Sequence, residues 1–229
     1  MVRPSKKKQI PNLQDAIKDT AWKQIAEFGA PALSLRAIAR ELKITAPAIY
    51  NYFPDRDALV TALIIDAFMS FGDWQIEARD AVPAENHAER LRAIGMAYRN
   101  WAHAYPQRYQ LIFGTPIPGY QPAPEEVLPS STRSIGALFS VVEGIRAAGK
   151  LPDVPFADVK LAYAGQYEMW KMHMGDVRLV TVFVVMTIWA RVHGIVSLEV
   201  QGNLPLFGED GDALYSAELD SIVRQFITE

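Results

Sequence analysis

A short stretch near the amino end constrains the fold of this chain more than any other feature. Residues 34–53 read SLRAIARELKITAPAIYNYF. Apolar residues recur at the spacing of one helix face, at Leu35, Ile38, Ala39 and Leu42. Lys43, Ile44 and Thr45 then separate this face from a second helical segment, whose first turn holds Pro47, where a missing N–H is tolerated. The pattern predicts two short helices joined by a three-residue turn.

The outer side of the second predicted helix carries short or hydrogen-bonding side chains. Ile49 and Phe53 fall on its buried side, which leaves an outer group of Thr45, Ala46, Pro47, Tyr50 and Asn51. Such side chains can reach base edges and phosphates in the major groove of DNA. Helix N-termini, expected here at Ser34 and Thr45, also attract phosphate. We therefore expect this helix to face duplex DNA.

Charge divides the chain into a basic end and an acidic remainder. Residues 1–60 hold 10 Lys and Arg against 6 Asp and Glu, whereas the whole chain of 229 residues has a net charge of -3. A basic end of this kind suggests contact with a polyanion. The sequence contains no cysteine, which excludes disulfides, thiolate metal sites and a cysteine nucleophile.

The helical pattern continues to the carboxyl end, so the chain is predicted to be all-α. We expect a flexible basic arm at residues 1–11, a DNA-binding domain at 12–60 and a helical effector-binding and dimerisation domain at 61–229. Helices in this last part are predicted near 85–104, 106–113, 130–148, 156–174, 177–197 and 213–228.

The longest apolar run extends from Leu179 to Ala190. It is shorter than the roughly 20 residues that cross a bilayer, so we interpret it as part of a buried or interface helix. The amino end is basic but has neither an apolar segment nor a cleavage pattern typical of a signal peptide. A cytoplasmic protein with no membrane partner is expected.

Residues 12–62 resemble the DNA-binding domain of TetR-family transcriptional regulators. The resemblance is carried by Leu35, Ile38, Ala39, Leu42, Ile44, Thr45, Ile49, Tyr50, Tyr52, Phe53, Asp55 and Leu59. Two positions depart from the family pattern: Lys43 stands where glycine is usual in the turn, and Arg56 replaces the usual lysine. Arginine keeps the charge, so a phosphate contact is still expected there.

The resemblance implies a role for each matched position. Tyr50, Tyr52 and Arg56 would contact the DNA backbone, and Thr45, Ala46, Pro47 and Asn51 would approach bases. With Ser34, Arg36 and Lys43, these residues form the predicted DNA-binding set. The family also implies a homodimer that binds a palindromic operator, most often as a repressor.

A second resemblance, to the WHG-type C-terminal domain of some TetR-family members, is carried by residues 189–199, which begin WARVHG. It implies a dimer interface on the last two long helices, for which we predict Val180, Phe183, Val184, Thr187, Ile188, Arg191, Ile222 and Phe226. His193 within this motif fits either a ligand-binding or switching residue or a hydrogen-bonded packing residue, and the packing role is favoured.

The family resemblance also implies a small-molecule effector, expected to be apolar or amphipathic. Large side chains with polar tips can line such a pocket, and we predict Trp101, Tyr105, Phe113, Tyr163, Tyr167 and Trp170. The alternative is that these residues form plain core. Whether the loop at residues 114–124 covers the pocket is left open by the sequence.

No catalytic motif is present: nucleophile-elbow, phosphate-loop, dinucleotide-binding and zinc-protease patterns are all missing. No cofactor, metal or catalytic residue is therefore predicted. Two alternatives to a regulator remain, a helical enzyme and a helical interaction protein that has lost DNA binding.

Overall fold

The computed structural model describes residues 11–153, 167–168, 171–172, 175–204 and 211–228. These residues form helices joined by turns and loops, without a β-strand among them, and the all-α prediction is confirmed. The helices are α1 (Leu13–Phe28), α2 (Leu35–Glu41), α3 (Ala46–Tyr50), α4 (Arg56–Asp80), α5 (His87–Ala104), α6 (Pro106–Phe113), α7 (Pro124–Ala147), α8 (Leu179–Val200) and α9 (Asp212–Phe226). The basic segment 1–10 and nearly all of the predicted helix 156–174 lie outside the described residues.

The amino-terminal helices enclose a small core of their own, here called the head. Ile17 of α1, Ile38 of α2, Ile49 of α3 and Leu59 of α4 are fully buried in it. Side-chain caps mark where these helices begin, because Ser34 Oγ accepts from Ala37 N and the Asp55 carboxylate accepts from Ala58 N. Short helices with little stability alone are thus held by caps and by shared burial.

A single helix, α4, connects the head to the rest of the chain, here called the body. Near its start it contributes Leu59 and Leu63 to the head core, and further along it contributes Ala67 and Phe71 to the body core. The body core then extends over α5, α7, α8 and α9.

Helix α7 begins earlier than predicted. The expected start was residue 130, whereas the helix runs from Pro124 to Ala147 and includes Pro129. Proline is well tolerated at the first position of a helix, and Glu125 and Glu126 follow it in the first turn, where acidic side chains favour the helix dipole. These signals mark a helix start that the proline-rich composition of residues 114–124 had obscured.

Helices α4 and α8 are long and apolar enough, by length and composition alone, to cross a membrane. The described structure places much of both in the protein core: Leu63, Ala67 and Phe71 of α4, and Val184 and Val192 of α8, are buried there. Packing within the protein therefore accounts for much of their apolar character.

Candidate nucleic-acid interface and interior cavity

The turn between α2 and α3 keeps a tight geometry without glycine. Lys43 has a φ of 55°, in the left-handed region that favours glycine. The amide of Ile44 donates to the carbonyl of Ala39 at 3.0 Å, which closes the turn. The departure at Lys43 therefore leaves the turn conformation intact, at the cost of some backbone strain.

The predicted DNA-facing residues of α2 and α3 lie mostly in solvent. Arg36, Lys43, Thr45, Pro47, Tyr50, Asn51 and Tyr52 are exposed, and Ser34, Ala46 and Arg56 are half-buried. The residues Tyr50 and Tyr52 are 43% and 45% exposed, although large aromatic side chains are usually buried. Ile49 and Phe53, in contrast, lie in the head core. The helix thus presents a continuous polar and aromatic face outward.

Arg56 lies in an open groove beside this face. The groove is lined by residues from the start of α2, the end of α3 and the start of α4, including Ser34, Arg36 and Tyr50. The Nε and Nη2 atoms of Arg56 are buried and make no hydrogen bond in the described structure. Buried guanidinium donors are costly unless they are paired. An anion in the groove, such as a DNA phosphate, would supply the missing acceptors.

The body contains an aromatic cluster around His193, which sequence reasoning had treated as a pocket or plain core. The hydroxyls of Tyr98 and Tyr109 lie 2.8 and 3.1 Å from His193 Nδ1, and the indole of Trp189 stacks on its ring with centroids 4.8 Å apart. Burial lowers the pKa of His193 below its usual value. His193 is therefore a neutral, hydrogen-bonded packing residue, which agrees with the favoured interpretation.

The predicted effector residues belong to this packed cluster or lie outside the described residues. Trp101 is fully buried and donates to Ser70 Oγ at 3.0 Å, and Phe113 packs against the rings of Phe71 and His193. The ring of Tyr105 packs edge-to-face against Trp74 and at a tilt against Trp101, and the Tyr167 hydroxyl donates to the carbonyl of Val177 at 2.8 Å. Tyr163 and Trp170 lie outside the described residues.

An interior cavity adjoins the aromatic cluster, and none of the four predicted pocket residues that the structure describes lines it. Helices α4, α5, α7, α8 and α9 form its wall, and about 40 Å³ is open to the centre of a water molecule. Its polar wall residues include Gln75, Tyr98 and Ser134. Sequence reasoning missed Gln75 and Ser134 because isolated polar residues in a helical pattern are typical of a solvated face.

The loop between α6 and α7 does not contribute to this cavity. Ile117 is buried in the head core, and the hydroxyl of Tyr120 lies 2.9 Å from Thr61 Oγ1 of α4. No residue of 114–124 is among those that line the cavity. The loop therefore fastens the body to the head rather than closing the cavity.

Four of the predicted dimer-interface residues are instead part of the core of the single chain. Val184, Ile188, Ile222 and Phe226 are each at most 4% exposed. The physical reason is that α8 and α9 pack on each other within the chain, and this contact covers the apolar faces that were expected to meet a partner. Arg191 belongs to the same contact, because it donates to Ser221 Oγ at 3.0 Å and to the Gln225 amide oxygen at 2.6 Å. Val180, Phe183 and Thr187 are half-buried.

Comparison with known proteins agrees with this geometry. Residues 17–63 match the family of bacterial regulatory proteins of the tetR family, and residues 91–222 match the tetracyclin repressor-like C-terminal domain. HTH-type transcriptional regulators of Mycobacterium tuberculosis and Mycobacterium bovis are each 34% identical over 196 residues, covering 83% of this chain and 82% of theirs.

Solved structures share the whole architecture. The regulatory protein SCO4313 is 32% identical, with a TM-score of 0.75 over 93% of this chain and 96% of its own. A protein from Rhodococcus sp. RHA1 shares the fold at 21% identity, with a TM-score of 0.72 over 99% of this chain and 100% of its own. The chain has a head built around α2 and α3 and a helical body, and it is related over four-fifths of its length to transcriptional regulators. Together these findings exclude the enzyme alternative. The chain belongs to the TetR family of DNA-binding transcriptional regulators.

Proposed function

We propose that this protein is a repressor that binds a palindromic operator as a homodimer and leaves it when a small, uncharged effector occupies the body. It would act in the cytoplasm without a membrane partner. The DNA-binding part of this proposal is supported by Arg56, whose Nε and Nη2 atoms are buried without a hydrogen-bond partner beside the exposed Tyr50. A DNA phosphate in that groove satisfies both the charge and the hydrogen bonds of the guanidinium.

A dimer would place two such faces on one duplex. A two-fold operator read in successive major grooves requires two reading helices about one DNA turn apart. Val180 and Thr187 of α8 are only half-buried, which supports an interface there. We expect Thr187→Arg to shift the protein toward monomer in sedimentation velocity, with Lys150→Arg, an exposed change in the body, as control.

Release by an effector requires that the body and the head be coupled. Both the groove residue Arg56 and the cavity residue Gln75 lie on α4, and the Tyr120–Thr61 hydrogen bond ties the α6–α7 loop to the same helix. At about 1.5 Å per residue, Arg56 and Gln75 are roughly 28 Å apart along α4. A change at the cavity thereby alters the position of the groove.

The test is operator binding measured by fluorescence anisotropy on a duplex selected from random sequence by the wild-type protein. We expect Arg56→Gln to weaken binding of the dimer at least tenfold and to reduce the slope of log affinity against log salt by about 1.8, since one phosphate contact is lost in each of the two subunits. Tyr50→Ala should weaken it comparably.

Lys150→Gln provides the matched control, because it removes one positive charge from an exposed position in the body. Unchanged affinity in both Arg56→Gln and Tyr50→Ala would exclude this face as the DNA-reading surface. Failure of the wild-type protein to select any duplex would instead favour an interaction protein that has lost DNA binding.

A further inference from the structure

The side chains that α3 presents outward carry no charge. Residues 45–51 read TAPAIYN, without an acidic or a basic residue. Of these, Thr45, Pro47 and Asn51 are exposed, and Ala46 is half-buried. The commonest base-specific contact in the major groove is an arginine or lysine on the O6 and N7 atoms of guanine. Helix α3 has no side chain that can make this contact.

The cations closest to α3 in the chain are placed for the DNA backbone. Arg36 lines the same groove as Tyr50 and Arg56, where a phosphate is the expected anion. Lys43 leaves the chain in the turn before α3 and is exposed, and its ammonium group acts as a point charge on phosphate. Phosphate contacts position a protein on the duplex without selecting a sequence. Selection is therefore left to the uncharged side chains of α3.

The start of α3 offers apolar surface. Pro47 lies in the first turn of the helix, where a proline leaves no helical hydrogen bond unmade, and it is exposed beside Ala46. Neither side chain can form a hydrogen bond with a base. The apolar group that bases present in the major groove is the C5-methyl group of thymine. Pro47 and Ala46 are thus complementary to thymine.

The end of α3 offers an amide on the same side of the helix. Asn51 keeps helical backbone angles, with φ -69° and ψ -22°, and lies four residues after Pro47, so the two side chains are about 6 Å apart. Its amide makes no hydrogen bond to another of the described residues. An asparagine amide pairs with the N6 and N7 atoms of adenine together. Base pairs are stacked about 3.4 Å apart, so the two contacts fall within about two base-pair steps.

We infer that each operator half-site presents A·T pairs to α3: a thymine whose methyl group packs against Pro47 and Ala46, and within two base-pair steps an adenine that pairs with Asn51. This inference rests on the proposed function, because it names the bases that the proposed DNA-binding face selects. A protein that selects half-sites with G·C pairs at these positions would satisfy the proposed function and contradict the inference.

The experiment uses the duplex that the full-length wild-type protein selects from random sequence, with binding measured by fluorescence anisotropy. In one half-site, each thymine is replaced in turn by deoxyuridine, which lacks the methyl group, and each adenine by its 7-deaza analogue, which lacks N7. We expect one deoxyuridine to weaken binding about fourfold, the typical effect of one buried methyl group. We expect one deaza analogue to weaken binding at least about fivefold, because a bidentate contact is broken.

Two variants assign these effects to residues. We expect Pro47→Ala to reduce the deoxyuridine effect, and Asn51→Ala to reduce the deaza effect, each to less than about twofold, because protein and DNA changes then remove the same contact. Asn100→Ala is the matched control, since Asn100 is an exposed asparagine of the body. That control should keep both effects at the wild-type size.

Half-sites with G·C pairs at the sensitive positions would overturn the inference, leave the proposed function standing, and indicate that Lys43 or Arg36 reads guanine. Wild-type binding that is insensitive to every deoxyuridine and every deaza analogue would also overturn it. So would effects that persist at full size in both Pro47→Ala and Asn51→Ala. The wild-type series alone decides if a variant does not fold. Selection of no duplex would refute the proposed function, and the inference with it.

Discussion

At the scale of single residues, Lys43 and His193 show how local context overrides the usual preference of a side chain. Lys43 adopts a left-handed conformation that normally selects glycine, because the amide of Ile44 must reach the carbonyl of Ala39. His193, a side chain that usually titrates near neutral pH, is kept neutral by burial among Tyr98, Tyr109 and Trp189. The conformation of Lys43 and the protonation of His193 can each be tested by a substitution at that position.

Substitution of Lys43 tests the strain in the turn. A left-handed conformation costs an L-residue about 1–2 kcal/mol, and the cost rises with branching at Cβ. We expect Lys43→Gly to leave the free energy of unfolding within about 1 kcal/mol of the wild type, because relief of strain offsets the added freedom of the unfolded chain. Lys43→Ile should lower it by about 1–2 kcal/mol in urea unfolding. Equal stability of the two variants would contradict a strained turn.

The pH dependence of stability tests the state of His193. Its pKa is lowered in the folded protein, so below the usual pKa of histidine the unfolded chain binds more protons than the folded one. Stability is therefore complete above about pH 7 and falls as the pH decreases through the usual histidine pKa of about 6.5. We expect His193→Gln to lose less stability than the wild type between pH 7 and pH 5 in urea unfolding. Parallel losses in both proteins would show that His193 is not the group responsible.

At the scale of helices, the contact between α4 and α7 depends on a glycine. A Cβ added at Gly72 would lie 3.1 Å from the Cα of Ser134, a backbone atom with little freedom to move. This close approach also brings the Ser134 carbonyl to Gln75, one helical turn further along α4. Gly72 therefore helps to set the geometry of the cavity wall.

The variant Gly72→Ala tests this contact. We expect it to lower the free energy of unfolding by about 1–2 kcal/mol, because overpacking against backbone outweighs the higher helix propensity of alanine. Gly136→Ala on α7 is the matched control, since its added Cβ meets no atom within 4 Å, and it should raise the free energy of unfolding by up to about 1 kcal/mol. The measurement is urea unfolding of both variants; a stabilising Gly72→Ala would refute the tight contact.

At the scale of the whole molecule, the head and the body are separate cores joined by α4, by α6, whose Leu111 and Ile112 pack against the head core, and by the loop before α7. Ile117 is the residue of that loop that enters the head core. Truncation of a buried isoleucine costs about 2–5 kcal/mol. The loop thus carries a substantial part of the attachment between the two cores.

We expect Ile117→Ala to reduce amide hydrogen-exchange protection in α1–α3 more than in α7 and α8. The substitution removes a side chain from the head core, whereas the body core is unchanged. Ile145→Ala is the matched control, since Ile145 is fully buried in the body core, and it should reduce protection mainly in the body. A uniform loss of protection in Ile117→Ala would show instead that the two cores unfold as one unit.

The head could be predicted from the sequence because the residues that form its helices and its turn are close together in the chain. The residues that form α2, the turn and α3 are neighbours in the chain, and their spacing, caps and proline fix the helices before any long-range packing. The cavity could not be predicted in this way, since Gln75, Gly95 and Ser134 come from three helices far apart in the sequence. The burial of Val184, Ile188, Ile222 and Phe226 within the chain was missed for the same reason: an apolar stripe predicts burial but does not identify the surface that covers it.

The part of the cavity wall that the structure describes carries no charged side chain, which has a consequence for the cell. A compact neutral molecule that leaves water for such an interior also dissolves in the hydrocarbon of a lipid bilayer and crosses it by diffusion, without a transporter. Its concentration inside the cell then follows the concentration outside. A repressor that responds to this class of compound would report on the surrounding medium directly, with no uptake step between exposure and gene expression.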